Sequence, residues 1–158
     1  YLSFDPTQRA WMAMDTYMPA VELGEPMRAS GILQVIDSKH PKYKTGDLIN
    51  YLCGWQEYVV INPDVPALAP LNKIPPYLDP ALVLALSLTG LTAYFGLLEV
   101  CRLQQGDTVV VSGAAGAVGS TVGQLARIKG CRVIGTAGSE EKIDYISGDL
   151  GFDGGLIY

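Results

Sequence analysis

The chain has 158 residues, 49% of them hydrophobic, and a formal net charge of −5 at pH 7. This composition supports a sizeable folded core, and the negative charge argues against nucleic acid or an anionic membrane surface as a partner. Its three cysteines, Cys53, Cys101 and Cys131, fit neither a CxxC metal pattern nor an even-numbered disulfide framework, so we expect a reducing, cytoplasmic location. The first residue is not methionine and the last lie in the apolar run "GGLIY", so we expect part of a longer protein.

The first 75 residues predict irregular β structure. Three short runs are rich in β-branched and aromatic residues and are separated by turn clusters: "GILQVI" (31–36), "GDLINYLC" (46–53) and "WQEYVVI" (55–61). Residues 62–80 are proline-rich and predict a loop. Trp55 and Tyr58 could face a substrate, but we favour packing inside a β-barrel for them, and core packing for Tyr1 and Tyr94.

Residues 81–98 contain no charged side chain, which makes them a marginal transmembrane candidate by length. Basic flanking residues are absent, and Glu99 and Arg102 follow at once. The sequence therefore favours two buried helices that meet near residues 89–90, the first capped by Asp79 with Pro80 at its first position.

From residue 105 the pattern changes to alternating strands and helices. "GDTVVVSG" contains a continuous apolar strand, typical of a parallel sheet covered on both faces. A helix follows and stops at Gly130, "CRVIGT" is a second strand, Ser139 begins a second helix, and "GGLIY" is a third strand. The result is an α/β protein whose second part is half of a doubly wound dinucleotide-binding sheet.

Residues 113–119, "GAAGAVG", lie where a dinucleotide-binding loop is expected. Ala114 stands in place of the first glycine of G-x-G-x-x-G, and Gly113 is placed to help the turn instead. Gly116 would let the backbone approach a pyrophosphate, and Gly119 would let the helix pack closely. The N–H groups at the helix start would hold the phosphates. A purely structural turn is the alternative, but the flanking strand and helix favour a cofactor.

The end of the second strand bears on the choice of cofactor. NAD-specific sites place Asp or Glu there, whereas this chain has the neutral residues 136–138. Ser139 and Lys142 could attract a 2′-phosphate; alternatively they are a helix cap and a solvated charge. Glu140 and Glu141 oppose a phosphate unless they point away. Taken together, the neutral strand end, Ser139 and Lys142 favour NADP over NAD.

Other chemistry has little support. Zinc catalysis needs three or four ligands, yet His40 is the only histidine and is expected to be a solvated turn residue. We therefore predict no metal. A Ser-His-Asp hydrolase would need the same histidine, and neither a G-x-S-x-G elbow nor the Y-x-x-x-K pair of short-chain dehydrogenases occurs.

Five separated motifs resemble one family: "YLSFDPTQRAWM", "GWQEYVV", "GLTAYFGLLEV", "GDTVVVSGAAGAVGSTVGQLARIKGCRVIGTAGSEEK" and "LGFD". They resemble the medium-chain dehydrogenase/reductases, in the zinc-independent branch of prostaglandin reductases, leukotriene hydroxydehydrogenases, plant alkenal double-bond reductases and curcumin reductases. The resemblance implies an N-terminally incomplete GroES-like β-barrel domain (1–83) and the first half of an NADP-binding Rossmann domain (84–158). It further implies a substrate cleft between them and a homodimeric full-length form.

Family members use NADPH to reduce a C=C bond conjugated to a carbonyl, so an enone or alkenal is the implied substrate. Lys142 corresponds to the residue for the 2′-phosphate, Tyr158 to a tyrosine on the adenosine side, and Thr92 to a position near the nicotinamide. The resemblance places the pyrophosphate loop on Gly116, Ala117, Val118 and Gly119.

The sequence also departs from the family pattern. Thr7 stands where related reductases commonly have a substrate-pocket tyrosine, Leu88-Thr89 replaces Met-Pro, and Ile157 replaces a common asparagine. The resemblance assigns no catalytic side chain. A quinone or carbonyl reductase of the same superfamily and a non-catalytic NADP-binding module remain the alternatives.

Overall fold

The computed structural model describes residues 1–65 and 70–158. The chain divides into two compact units, Tyr1–Leu84 and Ala85–Tyr158. The first contains an antiparallel sheet and the second a parallel sheet with helices. The chain is therefore α/β, as predicted.

The sheet of the first unit has three strands in the order β1-β2-β3. Strands β1 and β2 pair along their whole length, from Ser30 opposite Leu52 to Gln34 opposite Leu48. Ile32 of β1 and Ile49 of β2 are buried. The elements of this unit are α1 (Thr7–Ala13), β1 (Ser30–Gln34), β2 (Leu48–Leu52) and β3 (Asn72–Lys73).

Three predictions for this unit were wrong in part. Helix α1 lies in a region predicted as β; Pro6 stands at its start, and its Gln, Arg, Ala and Met residues favour a helix. Residues 55–61 form no strand, because β-branched and aromatic residues favour a strand only where a neighbouring strand completes the hydrogen-bond ladder. Strand β3 lies inside the predicted loop 62–80, of which residues 66–69 lie outside the described residues.

The apolar stretch after residue 79 forms α2 (Pro80–Leu86), α3 (Leu88–Tyr94) and a π-helical turn (Phe95–Val100). The predicted cap is confirmed, since Asp79 Oδ1 accepts from the N–H of Ala81 at 2.8 Å. The break lies at Ser87, whose ψ of −85° departs from helical values, rather than at residues 89–90.

The prediction that these helices are buried was wrong for α2 and is confirmed only in part for α3, where Gly90 and Ala93 are buried. None of the residues of α2 is buried, and Leu88 and Leu91 of α3 are each 55% exposed. Among the described residues no single helix is long and apolar enough to cross a membrane; one bent pair, α2 with α3 and the π turn, passes on length and composition alone.

The second unit has the predicted β-α-β-α-β order. Its strands are parallel and lie in the order β4-β5-β6, with Val109 opposite Val133 and Gly135 opposite Gly155. Gly130, after α4, has a φ of +76° and so supplies the left-handed helix stop that the sequence predicted. The elements are β4 (Thr108–Val111), α4 (Ala117–Ile128), β5 (Arg132–Ala137), α5 (Glu140–Gly148) and β6 (Gly154–Ile157).

One face of this sheet carries the core. Val111 of β4, Val133 of β5, Ala126 of α4 and Ile146 of α5 belong to one buried cluster, so both helices cover the same face. On the opposite face Val110 is 68% exposed. The predicted coverage of both faces is therefore not seen among the described residues, where the helices pack on one face of the sheet.

Candidate functional site

A tight turn follows β4 at the carboxyl edge of the parallel sheet. Gly113 takes a φ of +56°, a left-handed conformation that favours glycine. The N–H of Ala114 donates to Thr136 O at 2.9 Å, which ties the turn to β5, and the N–H of Gly116 donates back to Gly113 O at 2.9 Å. The turn therefore forms although the usual first glycine is an alanine.

Gly119 lets α4 approach this turn. A Cβ at this position would lie 2.5 Å from Gly113 O and 2.8 Å from Ala114 Cα, both of them backbone atoms. Only glycine leaves that space free, so the packing role predicted for Gly119 is confirmed. Its contact with a cofactor stays a prediction.

The start of α4 is open to an anion. Gly116 occupies the N-cap position, and no side chain caps the helix there. The N–H groups of Ala117, Val118 and Gly119 have no acceptor within the helix, because the first N–H groups of any helix lack one. Gly116, Ala117 and Val118 are exposed. Together with the positive end of the helix dipole, these groups fit a pyrophosphate.

The first turn of α5 lies beyond the end of β5. Ser139 caps the helix, its Oγ accepting from the N–H of Lys142 at 3.4 Å. The capping interpretation of Ser139 is thus correct, and its hydroxyl hydrogen remains able to donate to a ligand. Lys142 is exposed and forms no ion pair with any described carboxylate. Ala137, the last residue of β5, leaves the strand end without a carboxylate.

An open cavity of about 530 Å³ connects the loop and α5. Ala115 lines it from the loop and Lys142 from the helix, whereas the predicted pyrophosphate residues 116–119 and Ser139 are not among its lining residues. Its lining also includes three carboxylates and a tyrosine: Glu141, Asp144, Asp149 and Tyr145. Lys142 is the one cation among the lining residues.

Tyr158 lies at the same edge, directly after β6. Its N–H donates to Ala137 O at 3.3 Å, its ring passes within 4.0 Å of where a Cβ of Gly138 would be, and it is 79% exposed. Thr92 lies on α3, which packs against α4, and its hydroxyl donates to Leu88 O at 2.7 Å within its own helix. The structure thus places Tyr158 beside the end of β5 and shows no described contact between Thr92 and the loop.

His40 differs from the prediction. It lies in a turn, but its side chain is only 17% exposed, so it is not a solvated residue. Its Nδ1 accepts from the N–H of Lys42 at 3.2 Å, and its Nε2 lies 3.4 Å from Asp64 Oδ1. Within residues 1–65 and 70–158 no three His, Cys, Asp or Glu side chains are grouped to hold a metal.

The aromatic residues of the first unit were also misjudged. Trp55 is 40% exposed and Tyr58 73% exposed, so the barrel-packing interpretation was wrong for Tyr58 above all. Tyr1 is 67% exposed, and Tyr94 of the second unit 44%; neither is a core residue. Phe4, which the sequence analysis did not single out, stacks on Trp55. Its place just before the Asp5-Pro6 motif was the signal available in the sequence.

Known proteins resemble this chain along its whole length. Residues 1–67 match the family model described as the N-terminal domain of oxidoreductase. The NADP-dependent 2-alkenal reductase of Nicotiana tabacum is 39% identical over 100% of this chain and 46% of its own length. The NADPH-dependent curcumin reductase of Escherichia coli is 41% identical over 97% of this chain and 44% of its own length.

A solved structure resembles this chain over almost all of its length. CurA from Vibrio vulnificus in complex with NADPH matches with a TM-score of 0.88 and 36% identity, over 99% of this chain and 46% of that one. The chain thus spans about half the length of the curated relatives it matches. In sequence and in fold the chain is therefore similar to these NADP-dependent reductases, and its first 67 residues match a domain family of oxidoreductases.

Proposed function

We propose that the chain is part of a cytoplasmic, zinc-free reductase that uses NADPH to reduce the C=C bond of α,β-unsaturated ketones and aldehydes. Residues 1–83 would form most of its substrate domain and residues 84–158 the first half of its NADP-binding domain, and the complete protein would be a homodimer. The observation that carries the proposal is the start of α4, where no side chain caps the helix. The helix begins close to the preceding turn because residue 119 is a glycine, and a Cβ there would clash with the backbone of that turn.

Residues of the second unit would bind the pyrophosphate and the 2′-phosphate of NADPH. The N–H groups of residues 117–119 would donate to the pyrophosphate. Lys142 Nζ and the Ser139 hydroxyl would donate to the 2′-phosphate. The last residue of β5 carries no carboxylate, while Glu141 lines the same cavity as Lys142 and opposes a phosphate there. Tyr158 would lie along the adenosine, and Thr92 near the nicotinamide.

When bound, NADPH would supply the hydride that adds to the β-carbon of the substrate, and the α-carbon would then be protonated. The chain's contribution is to hold the cofactor in one orientation, so that the hydride and the β-carbon meet at close range. The negative charge that develops on the carbonyl oxygen needs a hydrogen-bond donor aimed at it. The named reactions of the tobacco and E. coli relatives support this choice of substrate.

The test is NADPH binding and turnover by the complete protein. We expect saturable NADPH binding, oxidation of NADPH on addition of a simple enone, and a saturated ketone as the product. An allylic alcohol or a quinol as the only product would favour a carbonyl or quinone reductase. Tight NADPH binding without turnover would favour a non-catalytic NADP-binding module, and absence of binding would overturn the cofactor assignment.

A further inference from the structure

Two adjacent glutamates lie in the first turn of α5. Glu140 and Glu141 are both exposed. Both stabilise the helix in the same way, because negative charge at a helix start interacts favourably with the positive end of the helix dipole. Their place in the sequence does not distinguish them as neighbours of a ligand, since a carboxylate strongly opposes a phosphate only when it faces the same site. The cavity beside α5 distinguishes the two.

Glu141 lines this cavity of about 530 Å³, and so does Lys142, the next residue of the helix. Glu140 is not among the described residues of the lining. Helix geometry agrees with this difference, because each successive side chain of an α-helix is turned by about 100° around the axis. Any ligand charge that Lys142 attracts into the cavity is therefore also acted on by Glu141, and much less by Glu140.

The charge of Lys142 is not neutralised by its neighbour. Within the described part of the chain Lys142 forms no ion pair, either with Glu141 or with another carboxylate. Its ammonium group can therefore attract a phosphate while the carboxylate of Glu141 repels it. Asp144 and Asp149 line the same cavity and add to the repulsion. Three carboxylates and one ammonium group thus surround the space in which a phosphate would lie.

This repulsion acts on only one of the two nicotinamide cofactors. NADPH carries a 2′-phosphate, a group with about −1.5 to −2 charges at pH 7, where NADH has a neutral hydroxyl. NADP⁺ carries the same 2′-phosphate as NADPH. Because charges around an open cavity interact largely through water, the repulsion is moderate and weakens as salt is added.

We propose that Glu141 determines cofactor specificity together with Lys142 and in opposition to it. Lys142 favours NADPH over NADH, and Glu141 narrows that preference by weakening the binding of NADPH and NADP⁺ to the same extent. This inference rests on the proposed function and deepens it. Its consequence for the reaction is release: a site with Lys142 but without the carboxylate of Glu141 would hold the oxidised cofactor more tightly after hydride transfer.

The experiment compares Glu141→Gln, Glu140→Gln and the parent in the complete protein. Dissociation constants are measured by fluorescence titration for NADPH and NADH, and by displacement of NADPH for NADP⁺, at about 0.01 M and about 1 M salt. In Glu141→Gln at low salt we expect the affinities for NADPH and NADP⁺ to rise about three- to fivefold, as for removal of one like charge at an exposed site. NADH affinity should change less than about twofold, and the gain should vanish at high salt.

Glu140→Gln is the matched control, because it removes the same charge from the same helix turn but not from the cavity lining. It should change all three affinities less than about twofold at low salt. Urea unfolding should be the same for both variants, since each loses one interaction with the helix dipole.

The outcomes separate this role from the proposed function. No gain in Glu141→Gln, an equal gain in Glu140→Gln, or a gain that persists at high salt would overturn the role of Glu141. Tighter NADPH binding by Glu141→Gln without turnover of an enone would leave that role standing and overturn the reductase assignment. Absence of NADPH binding by the parent would overturn the cofactor assignment and the role of Glu141 with it.

Discussion

Replacing Gly119 by alanine tests the close packing of α4 against the proposed cofactor loop. The new Cβ would lie 2.5 Å from Gly113 O, whereas ordinary van der Waals contact begins at 3.4 Å, so α4 and the turn must separate by about 0.9 Å. Neither neighbour can rotate away, because both contacts are with backbone. Overpacking of this kind costs about 1–3 kcal/mol, and we expect about 2 kcal/mol here because Gly119 is buried.

The same separation should weaken NADPH binding. Anion binding by a helix start depends on N–H groups placed at hydrogen-bond distance, and these interactions weaken steeply when the geometry is lost. The free energy of unfolding would be measured by urea denaturation followed by circular dichroism, and NADPH affinity by fluorescence titration.

Gly148→Ala is the matched control for this variant. Gly148 is the last residue of α5, and a Cβ there meets no atom within 4 Å. Because alanine is favoured over glycine in helices by roughly 0.5–1 kcal/mol, this change should be neutral or stabilising and should leave NADPH affinity unchanged. A Gly119→Ala variant as stable as Gly148→Ala, with parental NADPH affinity, would refute the close contact between α4 and the turn.

Three further predictions concern single side chains. Lys142→Ala should lower NADPH affinity about tenfold, which is the lower end of the range for a charge-assisted hydrogen bond, because the site is exposed. NADH affinity should change less than twofold. Equal losses for both cofactors would refute the role of Lys142 in binding the 2′-phosphate. The hydrogen bond from Lys73 holds the pKa of Asp47 below its usual 3.8, so the pair stabilises the fold above pH 3.8 and that contribution is lost as the pH falls through the lowered pKa. Asp47→Asn should therefore be less stable than the parent at neutral pH, with the difference closing in acid; a pH-independent difference in thermal unfolding would contradict this. Burial raises the pKa of the Cys53 thiol, so iodoacetamide at mildly alkaline pH should modify the exposed Cys101 first, as followed by mass spectrometry, and equal rates would show that Cys53 is accessible.

The second unit could be predicted from the sequence because its signals are local. The helical spacing of apolar residues in α4, the left-handed glycine at Gly130 and the cap at Ser139 each act within a few residues of where they stand. The parallel order of the strands then follows, since strands linked by crossover helices pair side by side. Here local preference and tertiary structure agree.

The first unit could not be predicted equally well because its structure depends on distant partners. Residues 55–61 have the composition of a strand, but a strand exists only where another one lies alongside, and composition carries no information on that. The stacking of Phe4 on Trp55 likewise joins two segments about fifty residues apart. The exposed outer face of β4, at Val110, was missed because an apolar run shows what a strand can bury and not what covers it.

The missing first glycine of the loop is compensated by the neighbouring strand. Ala114 is 0% exposed, and a Cβ on Gly135 of β5 would lie 2.8 Å from the Ala114 methyl. The methyl group therefore fills space that β5 leaves free by having no side chain at Gly135. The residue of the turn that adopts the left-handed conformation is Gly113, one position before Ala114. A dinucleotide loop needs a sharp turn, an open approach and a close helix, and Gly113, Gly116 and Gly119 supply these in that order. Since the alanine methyl is buried against β5, the exchange leaves unchanged the exposed side of the loop that we propose binds phosphate.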